Sequence, residues 1–196
     1  MKDTKTAIVE AAFRLFLERG YEGASMSDLV AATGLSKGAV YHHFRDKDAL
    51  HDAAIEHFFL RFFGGAETEV APDAGLEQVL NELCAAYTRL LDEVSATVPD
   101  MAAYYRFLFA ILPKVRAFIE GQIVGARNLV ADAVRREQQA GRIGADHSPE
   151  VVADQCLALI EGGGLLCILE GKRDVREVFR RTLPPYIALL QTGRDS

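Results

Sequence analysis

Residues 25–44, SMSDLVAATGLSKGAVYHHF, decide how this 196-residue chain is interpreted. Ser25 is placed to cap a short helix, and Asp28 three residues later completes a capping box. Gly34 ends that helix, because a left-handed residue there satisfies its last carbonyl groups, and Ser36 caps a second helix. Two short helices around a three-residue corner are the arrangement that lays the second helix in the major groove of DNA.

The second helix is predicted to present an unusual face to solvent. Val40 and Phe44, four residues apart, are expected to point inward. Lysine and the helix N-terminus favour a phosphate, and small residues let the backbone approach a duplex. Tyrosine and histidine reach a phosphate or a base edge. The residues left on or near the outward side are Lys37, Gly38, Ala39, Tyr41, His42 and His43. An ordinary helical hairpin with solvated polar residues is the alternative interpretation of these twenty residues.

Helical patterns also flank this motif. Apolar residues at helical spacing predict a helix over 4–19, which Gly20 ends. A further helix is predicted to start at 45–48 and to run to about Phe63. The chain therefore opens with a compact three-helix unit and a connecting fourth helix. We place the domain boundary between 1–46 and 47–196.

The segment 7–50, AIVEAAFRLFLERGYEGASMSDLVAATGLSKGAVYHHFRDKDAL, resembles the DNA-binding domain of the TetR (tetracycline-repressor) family of bacterial transcription regulators. The spacing that carries the resemblance runs from Leu15-Phe16 through Tyr41-x-x-Phe44 to Lys47 and Leu50. The remainder of the chain resembles the family only in length and helical layout.

The resemblance implies a homodimer that binds a palindromic DNA operator and releases it when a small molecule binds the larger domain. Residues 36–42 would form the recognition segment. Tyr41 would hold a phosphate or pack on the sugar-phosphate edge, and Lys47 would contact another phosphate. His43 and Phe44 would be structural, with His43 facing the domain interior or a neighbouring helix. The predicted DNA-binding residues are Ser25, Ser27, Ser36, Lys37, Gly38, Ala39, Tyr41, His42 and Lys47.

The rest of the chain reads as a series of helices. We predict helices over 76–95, 100–112 and 114–140, the last two separated by Pro113, then over 149–170 and 174–192. Pro184-Pro185 should kink or interrupt the last of them. The predicted fold is therefore all-α, with about nine helices, an N-terminal helix-turn-helix domain and a C-terminal helical domain for ligand binding and dimerisation.

Aromatic residues are concentrated in one part of the chain. Ten of the seventeen Phe and Tyr residues fall between 58 and 118. Core packing explains any one of them, but the group as a whole favours a pocket for an apolar or aromatic ligand. The candidate ligand-binding residues are Phe58, Phe62, Tyr87, Tyr104, Tyr105 and Phe109.

The last two helices each carry an apolar stripe, and the resemblance implies that such a pair forms a four-helix dimer interface. Gly162-Gly163-Gly164 lowers helix stability by roughly 1 kcal/mol per Gly relative to Ala. Close packing or a local bend would explain such a triplet. The predicted interface residues are Val152, Cys156, Leu159, Gly163, Phe179, Tyr186 and Leu190.

The charge and the cysteine content limit the kinds of binding and the cofactors that we expect. The net charge is −6, and residues 1–50, with seven basic and seven acidic side chains, are neutral. An acidic body discourages indiscriminate binding to nucleic acid. Cys84, Cys156 and Cys167 form no C-x-x-C pair, so we expect no metal site and no cofactor. Cys156 and Cys167 share a helix face, where buried thiols are favoured over a redox sensor.

No signal peptide is visible, and the longest uncharged stretch, the twelve residues 182–193, is too short to span a membrane. Together with the resemblance to the TetR family, these patterns predict a cytoplasmic, dimeric, ligand-responsive regulator of transcription, a repressor, whose partners are double-stranded DNA and a small-molecule effector. A small helical enzyme with an aromatic pocket is the first alternative, although the sequence shows no nucleophile–base pair. A helical adaptor that binds protein is the second.

Overall fold

The computed structural model describes residues 3–62, 70–96, 98, 100–171 and 174–192. Over these residues the chain forms eight α-helices, and the prediction of an all-α fold is confirmed. The helices are α1 (Thr4–Gly23), α2 (Met26–Thr33), α3 (Lys37–His43), α4 (Lys47–Phe62), α5 (Leu76–Ser95), α6 (Met101–Gln139), α7 (Pro149–Leu169) and α8 (Val175–Thr192).

The prediction of nine helices is wrong by one, because Pro113 does not divide α6. A proline inside a helix removes one backbone hydrogen bond and usually only kinks a helix that is packed on both sides of it. Pro113 is exposed, whereas Ile111 and Val115 beside it are buried and hold the helix in place. Exposed prolines at 184 and 185 likewise lie inside α8.

Gly20 interrupts α1 where the sequence predicts its end. Its backbone has φ 71° and ψ 172°, and one more helical turn follows, up to Gly23. Only glycine adopts this left-handed φ without a steric penalty. The kink therefore sets the position of Tyr21, the residue that follows it.

The chain divides into two compact units, which comprise 1–67 with 90–114 and 68–89 with 115–196. In the first unit, α1 packs against α2 and α4, and in the second, α7 packs against α8. The core of the first unit includes Ile8, Phe13, Phe16, Leu29, Val40 and Leu50. That of the second includes Val79, Leu80, Val130, Val134, Val152, Cys156 and Val178.

The glycine triplet in α7 makes room for aromatic rings. A Cβ atom at Gly163 would lie 2.7 Å from Cε1 of Phe179, and one at Gly164 would lie 2.3 Å from the Tyr87 hydroxyl oxygen. A Cβ atom at Gly162 would meet nothing within 4 Å. Two of the three glycines therefore serve close packing, against side chains of α8 and α5.

We expect opposite stability changes at adjacent glycines. Gly163→Ala should lower the free energy of unfolding by about 1–3 kcal/mol, because the buried Phe179 ring has to move. Gly162→Ala should raise it by about 0.5–1 kcal/mol, because only the helix propensity changes. Urea titrations of the two variants check this. Equal changes would show that the Phe179 contact does not determine the choice of glycine.

Candidate nucleic-acid interface

α2 begins and ends with the predicted signals. The Asp28 amide donates to the Ser25 hydroxyl at 3.1 Å, and the Ser25 amide donates to the Asp28 carboxylate at 3.0 Å. Gly34 is left-handed, with φ 66° and ψ 9°. Hydrogen bonds from Ser25 lower the pKa of Asp28. That carboxylate also pairs with Arg19 at 3.3 Å, which connects α2 to α1.

The corner and α3 are fixed by short-range hydrogen bonds. The Thr33 hydroxyl donates to the Val30 carbonyl at 2.8 Å and accepts from the Leu35 amide at 3.2 Å. Ser36 caps α3 by accepting from the Ala39 amide at 3.2 Å. Val40 and Phe44 are buried, as predicted. The corner residues therefore orient α3, and its buried residues attach it to the unit.

The exposed face of α3 centres on a glycine. A Cβ atom at Gly38 would meet nothing within 4 Å, so internal packing does not require glycine at this position. The Lys37 ammonium lies 5.5 Å from the centre of the Tyr41 ring. Ala39 is half-buried, and the remaining predicted residues of the motif are exposed, namely Ser25, Ser27, Ser36, Lys37, Gly38, Tyr41 and His42.

His43 is a correction to the sequence prediction. The resemblance implies that it faces the domain interior or a neighbouring helix, whereas the residue pattern places it on or near the outward side; it is exposed, with its ring 5.2 Å from that of His42. α3 has only seven residues, and the larger apolar ring of Phe44 fills the inward position at its end. The imidazole of His43 remains in solvent.

Lys47 makes contacts that sequence reasoning missed. Its ammonium donates to the Tyr21 carbonyl at 3.0 Å and lies 4.1 Å from the centre of the Tyr21 ring. The Tyr21 hydroxyl also donates to Asp48, and this hydrogen bond is the main cause that raises the pKa of Tyr21 to about 12. One residue of α1 thus holds two consecutive residues of α4. An ammonium group has three donors, so this contact leaves Lys47 able to bind a phosphate.

His51 completes an aromatic cluster behind this contact. It is buried, with its ring centre 4.8 Å from that of Phe16 and 4.6 Å from that of Tyr21. Burial lowers the pKa of His51 from 6.5, and the charge of Lys114 lowers it further. The imidazole is therefore neutral in the folded protein at neutral pH.

We expect this histidine to make the fold acid-sensitive. Because the unfolded chain binds the proton more tightly, the free energy of unfolding should be highest above pH 6.5 and should fall as the pH drops below it. His51→Phe should make the fold less sensitive to acid, whereas the exposed-site control His42→Gln should not. Thermal unfolding at pH 7.5 and pH 5.5 checks this. If the lower pH reduces stability equally in the unmodified protein, in His51→Phe and in His42→Gln, His51 is not the cause.

Three of the six candidate ligand-binding residues, Tyr104, Tyr105 and Phe109, form a row of aromatic contacts on α6. The ring centres of Tyr104 and Tyr105 lie 5.1 Å apart and those of Tyr105 and Phe109 lie 6.2 Å apart, and Phe109 is 66% exposed. Tyr87 belongs to the other unit, where its ring centre lies 6.0 Å from that of Phe179. The side chains of Phe58 and Phe62 lie outside the described set.

The predicted dimer residues are placed mainly inside the second unit. Val152, Cys156, Gly163, Phe179 and Leu190 are buried there, and Leu159 and Tyr186 are half-buried. α7 is apolar on its other side as well, and by length and composition it could cross a membrane, with 39% of its most apolar window buried. The exposed apolar side chains of α7 and α8 are Val151, Leu165, Leu166, Leu169 and Leu189.

The cysteines are placed as unreactive thiols. Cys156 and Cys167 are buried, and Cys84 is half-buried. Burial raises the pKa of Cys84 and of Cys156 to about 12, which keeps both thiols protonated. The described residues hold no group of three or more side chains that could bind a metal ion.

The two capped helices, the left-handed corner and the exposed face of α3 define a helix-turn-helix DNA-binding protein. Residues 8–54 match the family described as bacterial regulatory proteins, tetR family. The HTH-type transcriptional repressor Rv1474c of Mycobacterium tuberculosis is 32% identical over 173 residues, which cover 85% of this chain and 82% of that protein. This chain therefore belongs to the TetR family.

Further comparisons agree with this membership. The HTH-type transcriptional regulator UidR of Escherichia coli K12 is 29% identical over 89% of this chain and 85% of its own. The structure of SmeT, the repressor of the Stenotrophomonas maltophilia multidrug efflux pump SmeDEF, shares the fold, with a TM-score of 0.61 and 22% identity over 100% of this chain and 94% of its own. The protein is a DNA-binding regulator of transcription and not an enzyme. Members of this family bind DNA operators and small-molecule effectors and act as dimers.

Proposed function

We propose that this protein is a cytoplasmic, dimeric repressor that binds a palindromic operator and releases it when a small apolar or aromatic molecule binds. The observation that carries the proposal is the exposed surface of α3, where an unobstructed glycine lies beside Lys37 and Tyr41. A surface of this kind lets a helix backbone come close to a duplex. Relatives that are transcriptional repressors, among them Rv1474c, favour repression over activation.

The proposed DNA contacts fall into two groups. Ser36, Gly38, Ala39 and His42 would face base edges in the major groove, and the other five predicted residues would contact the sugar-phosphate backbone. Backbone contacts fix the register of the protein, and base contacts supply specificity. The backbone group comprises Ser25, Ser27, Lys37, Tyr41 and Lys47.

The proposed dimer surface is the exposed face of α7 together with Leu189 of α8. It differs from the surface predicted from the sequence, whose residues are mostly buried within the second unit. Leu165, Leu166 and Leu169 follow one another along that face, and Leu169 is 72% exposed. A contiguous exposed apolar patch of this kind marks an interaction surface. Two copies of α3 would then lie about 34–36 Å apart, or a multiple of that distance, on one side of the duplex. Effector binding has to shift that spacing with about 1–3 kcal/mol of coupling.

Selection from a random duplex library with the purified full-length protein, at a stated salt concentration, tests the proposal. Enrichment of an inverted repeat is expected, because a two-fold dimer reads two equivalent half-sites. Enrichment of a single, unrepeated site would contradict the dimeric mode of binding. Recovery of no sequence above background would contradict DNA reading by this surface.

The backbone contacts can be separated from the base contacts by their dependence on salt. Lys47→Ala should weaken binding to all duplexes alike and lower the slope of log affinity against log salt by about one. Tyr41→Ala should also weaken binding but leave this slope unchanged, because tyrosine carries no charge. Fluorescence anisotropy across a salt series measures both effects. Arg89→Ala, an exposed change on α5, is the matched control. If the slope is unchanged in Lys47→Ala, Lys47 contacts Tyr21 and no phosphate.

A further inference from the structure

A cavity of about 480 Å³ lies within the first unit, lined by residues of α1, α4 and α6. Its volume falls in the range of about 300–1,000 Å³ that is typical of small-molecule sites. Phe16, Phe107 and Ile111 are buried and give it an apolar floor. Of the ligand-binding residues predicted from the sequence, the four whose side chains are described, Tyr87, Tyr104, Tyr105 and Phe109, do not line it.

The charged side chains that line this cavity differ in the partners that they contact. Arg19 pairs with Asp28, Lys114 pairs with Asp52, and Asp48 accepts the hydroxyl hydrogen bond of Tyr21. Arg106 is exposed at the rim and forms no ion pair with any residue that the structure describes. A guanidinium group presents a planar fork of donors that matches a carboxylate.

We propose that this cavity binds a small carboxylate with an aromatic or branched apolar body. The body packs on Phe16, Phe107 and Ile111, and the carboxylate receives two hydrogen bonds from Arg106. The apolar floor supplies burial without orientation, and Arg106, the lining cation without an ion pair among the described residues, fixes which end of the ligand faces solvent. A neutral ligand of the same shape lacks the second interaction.

The same cavity is connected to the candidate DNA interface. Gly20 and Tyr21 form part of its wall, and the carbonyl and ring of Tyr21 hold Lys47. A ligand that displaces Tyr21 therefore changes the position of a proposed phosphate contact. This regulatory step rests on the proposed function, whereas ligand binding itself does not.

Calorimetric titration of the full-length protein, without DNA, tests the site with 2-naphthoate and its neutral analogue 2-naphthamide. The acid is expected to bind at least about tenfold more tightly than the amide, which corresponds to one charge-assisted contact. Arg106→Gln should remove this difference, and Arg106→Lys should retain part of it. Arg116→Gln, an exposed change on the same helix outside the cavity lining, should leave both affinities unchanged.

Ala110→Phe provides a second test, because residue 110 is exposed and lines the cavity, so a larger side chain fills the space without removing a charge. This variant should lose at least about tenfold in affinity for both compounds. Equal affinities of the acid and the amide for the unmodified protein would overturn the proposal. Unchanged affinity for the acid in Arg106→Gln or Ala110→Phe, or no binding of the acid to the unmodified protein at millimolar concentrations, would do the same.

The regulatory step has its own readout. Addition of 2-naphthoate to the protein bound to its selected duplex should lower the DNA affinity by at least about fivefold in the unmodified protein and leave it unchanged in Arg106→Gln. Unchanged DNA affinity together with intact naphthoate binding overturns the coupling. Failure of the ligand-free protein to bind any duplex contradicts the proposed function instead.

Discussion

Gly38→Leu is expected to lower operator affinity by at least about a hundredfold without unfolding the protein. The glycine faces open space on α3, so a leucine side chain does not clash inside the unit. It projects instead into the gap between the helix backbone and the duplex. Loss of two base contacts, each contributing about 1–3 kcal/mol, accounts for a change of that size. Anisotropy with the selected duplex measures the loss.

Stability separates this effect from misfolding. Leucine has a higher helix propensity than glycine, so the free energy of unfolding of Gly38→Leu should stay the same or rise by up to about 1 kcal/mol. Gly121→Leu on α6 is the matched control, because that glycine is also exposed and unobstructed. If Gly38→Leu binds the operator as tightly as the unmodified protein, α3 does not form the DNA-reading surface.

The double variant Leu166→Glu with Leu169→Glu should convert the proposed dimer to a monomer. Both leucines are exposed on the outer face of α7, so the monomer fold should survive the change. In a two-fold interface each new carboxylate is buried near its own copy, and unpaired buried charge costs several kcal/mol. Sedimentation at micromolar concentration measures the change in mass.

DNA binding should weaken with it. A monomer presents one copy of α3, so the gain from holding two half-sites together is lost, a factor of about 10²–10⁴. Phe109→Glu is the control, since it places the same charge at another exposed apolar position, on α6. A dimer that persists in the double variant would place the interface on another surface.

Local signals made α2 and α3 predictable from the sequence. Ser25, Asp28, Gly34 and Ser36 act on neighbours within a few residues, so their hydrogen bonds follow from spacing alone. Pro113 shows the limit of such reasoning. A proline signals a break, but packing of Ile111 and other residues along α6 overrides it.

Three further features depend on tertiary contacts. Periodicity finds an apolar face, but α7 is apolar on both faces, so the sequence does not distinguish the buried stripe of Val152 from the exposed one of Leu169. Lys47 and Tyr21 are separated by 26 positions, and their contact depends on the packing of α1 against α4. The proposed carboxylate cavity likewise combines three helices that are distant in sequence.

Tyr21 has a mechanical consequence for the DNA-reading surface. Because Tyr21 forms hydrogen bonds with both Lys47 and Asp48, it joins the end of α1 to the start of α4. The Arg19–Asp28 ion pair connects α2 to the same group of helices. A torque on α4 is therefore expected to turn α1 and α2 with it, and the hydrogen bonds of Thr33 fix the corner that leads from α2 to α3. The recognition helix should turn as part of a lever, with its internal geometry preserved, and release should depend on its angle rather than on its unfolding.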